Sequence, residues 1–94
     1  MHMNITIEYH GQLRHLANRD TETCTVQPGT SIPDIVTTMA HNHDDAFRAI
    51  LLDEDGNLLN STFMFIGDEP LDRANWPTLK DGDIITLLPP IAGG

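Results

Sequence analysis

The closing stretch "LKDGDIITLLPPIAGG", Leu79 to Gly94, decides how the rest of the chain is read. Lys80-Asp81-Gly82-Asp83 has the composition of a tight turn. Ile84 to Leu88 is apolar and β-rich, and reads as a last strand. Pro89-Pro90 ends its pairing, because proline has no N–H to give. Chain ends are usually tolerant of change. Here an apolar strand runs instead into two prolines, Ile91, Ala92 and the pair Gly93-Gly94. With glycine near 7% of residues, two specified glycines arise by chance at roughly 0.5%.

Upstream, Ile5, Ile7 and Tyr9 alternate with polar residues, the period of a half-buried first strand. Gly11 ends it. Gln12 to Ala17 reads as a connector or short turn with two apolar anchors, Leu13 and Leu16. Thr21 to Val26 is the second strand and closes a hairpin with the first. Then the period changes. Ile32, Ile35, Val36, Met39 and Ala40 form one helical stripe, with Ser31 as N-cap, Asp34 completing an approximate capping box and Pro33 in the first turn. This helix should fade at His41-Asn42-His43. Asp44-Asp45 can begin a shorter one through Leu51. Asp53 to Gly56 is a turn, Thr62 to Ile66 a fourth strand segment after Leu58-Leu59, and Gly67 to Pro70 breaks it. Leu71 to Leu79 is irregular, with Pro77 opposing a helix. The expected class is α+β: a mixed sheet with one main amphipathic helix on one face, and the first and last strands as parallel neighbours at its centre.

The chain has 94 residues, and one domain, 1–94, is expected, with 89–94 as an extended flexible tail. Fourteen acidic residues face five basic ones, a formal charge of -9. Phosphate-backbone binding needs clustered Lys and Arg, so nucleic acid is not an expected partner. A basic protein surface is. No apolar run approaches a membrane span, and no signal peptide is visible, so no membrane association is expected. Cys24 is the single cysteine, which suits a reducing compartment, the cytoplasm.

The element order and this ending resemble the ubiquitin-like β-grasp proteins of the MoaD/ThiS sulfur-carrier family. "LKDGDIITLLPPIAGG" is similar to that family's closing pattern, and "EYHGQLRHLA", Glu8 to Ala17, to its first strand and the turn after it. "LLDEDGNL", Leu51 to Leu58, resembles a subgroup that also serves cysteine synthesis, the CysO-like branch. Many members carry Asn-Gly where this chain has Gly67-Asp68, which leaves the branch open. The resemblance implies a β-grasp fold and a carrier without catalytic residues of its own. Gly94 would be adenylated by an E1-like enzyme using ATP. A sulfur donor would convert it to a thiocarboxylate, and the sulfur would pass to the large subunit of a synthase or another sulfur-acceptor enzyme. Molybdopterin synthesis comes first, as a MoaD-like small subunit. The alternatives are cysteine or thiazole synthesis, a ubiquitin-like protein modifier, or a non-reactive β-grasp interaction module. No bound cofactor or metal is expected.

The tail has a physical logic of its own. Glycine lets backbone approach closely, and two prolines favour an extended arm. Pro89, Pro90, Ile91, Ala92, Gly93 and Gly94 can span at most about 20 Å, enough to thread a narrow channel in a partner's active site. A docking surface beside it is expected from strand parity. If Met64 and Ile66 face the core, Phe63 and Phe65 face away; if Ile85 and Leu87 face in, Thr86 and Leu88 face out. Phe63, Phe65 and Leu88 would then form an exposed apolar patch. The competing readings are reversed parity, or cover by Leu71 or Trp76. His41, His43, Asp44 and Asp45 tempt a metal reading, but histidines two apart on a helix do not share a face, so a solvated helix end is expected. Cys24 reads as a small buried apolar residue, and Asp81 and Asp83 as turn formers.

Overall fold

A computed structural model describes residues 1–90 of the chain. The order is β1 (Met3–Tyr9), α1 (Gly11–Ala17), β2 (Thr21–Val26), α2 (Ile32–His41), α3 (Asp45–Leu51), β3 (Phe63–Ile66), β4 (Glu69–Pro70) and β5 (Ile84–Leu88). The five strands form one mixed sheet ordered β2-β1-β5-β3-β4.

The alternation in β1 does what period two requires. Met3, Ile5, Ile7 and Tyr9 are buried on one face and Asn4, Thr6 and Glu8 lie on the other. β2 pairs antiparallel with β1, and β5 pairs parallel with it from Thr6–Ile84 to Tyr9–Leu87. The central parallel pair is pinned where β5 begins. Asp81 Oδ1 accepts from the Asn4 N–H at 2.7 Å, the Gly82 N–H donates to the Asn4 carbonyl at 2.8 Å, and Asp83 Oδ2 accepts from the Lys80 N–H at 2.7 Å. Asp81 and Asp83 therefore shape the turn, as expected from sequence.

The helices cover one face. Ile32, Ile35, Val36, Met39 and Ala40, the stripe read from sequence, are all buried in the core with Ile5, Ile7, Ile85 and Leu87. Ser31 Oγ accepts from the Asp34 N–H at 3.2 Å, which is the N-cap half of the capping box. Asp44 caps α3 by accepting from the Phe47 N–H at 3.0 Å. Asp53 Oδ1 accepts from both Asp55 and Asn57 N–H groups at 2.9 Å, so this acidic loop is held by its own backbone.

Two elements differ from the sequence reading. Gln12 to Ala17 is a helix, not a connector. Its apolar positions Leu13, Leu16 and Ala17 span a single turn, too short for a period to be recognised, and no capping side chain marks its start. Gly67 to Pro70 does not simply end β3. Gly67, at φ 55°, turns the chain so that Glu69 and Pro70 pair back on Ile66 and Phe65. A proline is acceptable in such a strand because β4 lies at the edge of the sheet.

Candidate functional site

β5 is flanked on both sides, by β1 and β3, so the strand that leads to the tail is the middle strand of the five. Its parity follows the sequence expectation. Ile85 and Leu87 are fully buried, while Leu88 is 39% exposed. β3 runs antiparallel beside it with Phe63 opposite Leu88 and Phe65 opposite Thr86. Met64 is buried and Phe63 is 64% exposed. Phe65 and Ile66 are both half-buried.

The open face of the sheet is thus graded. The β1–β2 half carries Asn4, Thr6, Glu8 and three threonines of β2; the β5–β3 half carries Ile84, Thr86, Leu88, Phe63 and Phe65. Ile84, 42% exposed, belongs to this apolar half and was missed from sequence. The signal was available, since it shares parity with Thr86 and Leu88. Leu71 and Trp76 pack against the core cluster, and Trp76 lines a depression with Ser31 and Ile32 at the start of α2. Trp76 therefore sits on the helix side of the sheet, away from Phe63.

At the end of β5, Pro89 is buried and Pro90 exposed. The Pro89 ring sits over Gly11, where an added Cβ would lie 3.5 Å from Pro89 Cγ. Gly11 has φ +56°, a conformation that side-chain-bearing residues rarely adopt. The first prolyl residue is thereby held in the body of the domain, by the turn that opens α1. Beside it Glu8 and His10 bond through Oε1 and Nε2 at 2.7 Å, each about two-fifths exposed. Ile91, Ala92, Gly93 and Gly94, named from sequence as the tail and its reactive end, lie outside the described residues.

A second cluster sits on the helix side. Glu22 Oε1 accepts from the Tyr9 hydroxyl at 2.7 Å and pairs with His43 Nε2, and Arg19 lies 3.6 Å from Glu22 Oε2. Burial pushes the Glu22 carboxyl up, but the bonds from Tyr9 and His43 and the charges of His43 and Arg19 outweigh it and hold the group below its ordinary value. Burial, then the bond and charge of Glu22, push the Tyr9 phenol far up, so Tyr9 keeps its proton and donates it to the Glu22 carboxylate. His43 stacks on Phe47 at 4.2 Å, and its side chain is 15% exposed. This corrects the expected solvated helix end at His43. His41 is exposed as expected, whereas His43 is drawn in by an acidic partner on β2 that lies 21 residues away in sequence. Cys24 is half-buried, and burial pushes its thiol up, which disfavours the thiolate. Among the described residues no group of three or more His, Cys, Asp or Glu is placed to hold a metal, and no helix is long and apolar enough to cross a membrane.

No family model matches the chain, and no curated protein matches it. Solved structures do. SAMP1 from Haloferax volcanii is similar at 20% identity, with a TM-score of 0.83, over 97% of this chain and 99% of that one. The small archaeal modifier protein 1 from Methanosarcina acetivorans is similar at 18% identity and TM-score 0.80, over 100% and 99%. A putative molybdopterin converting factor subunit 1 from Pyrococcus furiosus is similar at 22% identity and TM-score 0.72, over 95% and 99%. Matches this complete at such low identity are matches of architecture. With its mixed sheet, parallel central pair and helices on one face, this chain has the ubiquitin-like β-grasp fold, the fold of these solved proteins.

Proposed function

We propose that this protein is a sulfur carrier, acting as the MoaD-like small subunit of a molybdopterin synthase. The observation that supports the reading is the placement of the strand that leads toward Gly93-Gly94. β5 is held at the sheet centre, Leu88 meets exposed Phe63, Pro89 is seated on Gly11, and the sequence then runs directly into Ile91-Ala92-Gly93-Gly94. A likeness to a protein named as a converting factor subunit adds support.

In this reading Gly94 is a co-substrate and the chain supplies no catalytic group. On an E1-like enzyme, a Gly94 carboxylate oxygen attacks the α-phosphate of ATP and displaces pyrophosphate. Hydrosulfide from a sulfur donor then attacks the acyl carbon, releasing AMP and a proton and leaving a thiocarboxylate. ATP belongs to the activating enzyme, and the chain itself binds no cofactor. The apolar half of the open face, Phe63, Phe65 and Leu88 with Ile84, docks the synthase large subunit or another sulfur acceptor while the tail enters its active site. The proposed setting is the reducing cytoplasm, where Cys24 stays a thiol.

The second reading is a protein modifier, which the likeness to small archaeal modifier protein 1 favours. Its first step is the same, but the activated acyl group goes to a lysine amine of another protein. Intact mass after incubation with an E1-like enzyme, ATP and sulfide separates the two. A gain equal to one oxygen replaced by sulfur, lost when Gly94 is deleted, supports the carrier. Adducts on other proteins through Gly94 support the modifier. Neither product, with an activating enzyme shown to be active, refutes both.

A further inference from the structure

β2 is one edge of the sheet, and its outer side is chemically open. The Tyr9 N–H donates to the Asp20 carbonyl at 2.8 Å, which fixes the parity of the β1–β2 ladder. The pairs Ile7–Glu22, Ile5–Cys24 and Met3–Val26 therefore exchange the ladder bonds. The backbone N–H and C=O groups of Thr21, Thr23 and Thr25 point away from the sheet. Among the described residues, no loop or side chain bonds to them. Native edges are usually closed by proline, lysine or a bulge. Thr21 to Val26 contains no proline, lysine or arginine, and its register runs without a skip.

Beside this edge, between β2 and α2, lies a groove of about 140 Å³. Cys24, Val26, Ile35 and Met39 give it an apolar floor, and Asp34 and Thr38 stand at its rim. Glu22, bound by Tyr9 and His43, is the next inward-facing residue of the strand beyond Cys24.

We infer that this edge accepts an extended basic segment of a partner protein as a sixth strand. The segment's main chain pairs with Thr21, Thr23 and Thr25, and alternate side chains fall on the helix side. One small aliphatic side chain fills the groove, and a flanking lysine or arginine meets Asp34, the only charged side chain among the described residues that line it. Charge selects this occupant over a second copy of the chain. Two chains each carrying -9 repel, whereas the same field draws in a cationic segment. β1 and β5 separate this edge from Phe63 on β3, so occupancy here leaves the surface beside the tail free.

The test titrates the whole protein with a short acetylated peptide alternating arginine and valine, while backbone amide shifts and amide exchange are followed. The expected result is saturable binding, with shifts centred on Thr21, Thr23 and Thr25 and exchange there slowed about tenfold or more. Thr23→Pro removes an outward donor and no ladder bond, and should weaken binding about tenfold. Asp34→Lys, at an exposed helix position, should weaken the arginine–valine peptide and favour a glutamate–valine peptide instead. Unfolding curves of both variants establish that the fold persists. Shifts gathered at Phe63 and Leu88, affinity indifferent to Asp34→Lys, or dimerisation through β2 in place of peptide binding would each overturn the inference.

Discussion

Tyr9→Phe isolates the bond that ties the first strand to the second on the helix side of the sheet. Tyr9 is 1% exposed, and its ring packs edge-on against Phe47 with centroids 5.3 Å apart. Phenylalanine keeps that packing and removes only the hydroxyl. The lost bond is to a charged acceptor, Glu22, whose side chain is 16% exposed and recovers little water. A bond of that kind contributes roughly 1.5–3 kcal/mol. For a domain of this size about 2 kcal/mol lowers Tm by roughly 8–16 °C. The effect is pH-dependent. The folded Glu22 carboxyl is held below its ordinary 4.5, so the stability it adds is present above that value and is lost as pH falls through the lower, folded one. The gap between wild type and Tyr9→Phe should therefore be full near neutrality and narrow in acid. Thermal unfolding followed by circular dichroism from neutral pH into the acid range measures it. Equal Tm values at neutral pH, or a gap that widens in acid, would show that Glu22 is not held as described.

Phe63→Ser should leave Tm nearly unchanged, within about 0.5 kcal/mol, and lose partner binding in a pull-down with the synthase large subunit, whereas Met64→Ser should cost about 2–5 kcal/mol; the reverse ranking would mean that the two faces of β3 are exchanged. Phe65→Ser should fall between them, because Phe65 is half-buried. Gly11→Ala meets Pro89 at ordinary contact distance, so its cost is that of the left-handed backbone, about 1–2 kcal/mol in urea unfolding; an unchanged midpoint would refute the requirement for glycine. Raising sodium chloride from about 0.1 M to about 1 M shortens the screening length from about 10 Å to about 3 Å, so the repulsion among the excess acidic residues should weaken and Tm should rise by several degrees; a flat or falling Tm would show that this repulsion costs no stability.

The sequence alone determined those features whose cause is local. The stripe from Ile32 to Ala40 has the helical period, and Ser31 and Asp44 cap helices by bonds to residues three positions on. The faces of β1 follow from alternation, because its second side is polar. In β3 and β5 alternation only sorts Phe63 with Phe65 and Thr86 with Leu88; since both sides of β3 are apolar, the structure decided that Phe63 and Leu88 face away from the core. The seven-residue α1 escaped because no capping side chain marks its start, whereas Asp44 marks the equally short α3, and the two-residue β4 is too short to carry a period. Tertiary structure decided what depends on groups distant in sequence. It drew His43 out of solvent by setting Glu22 beside it, 21 residues away. It seated Pro89 on Gly11, so the arm that the sequence begins at Pro89 is anchored by its first residue. It also left Thr21, Thr23 and Thr25 at an open edge, because a strand's outer hydrogen-bonding groups are free only when no other strand has come to lie beside it.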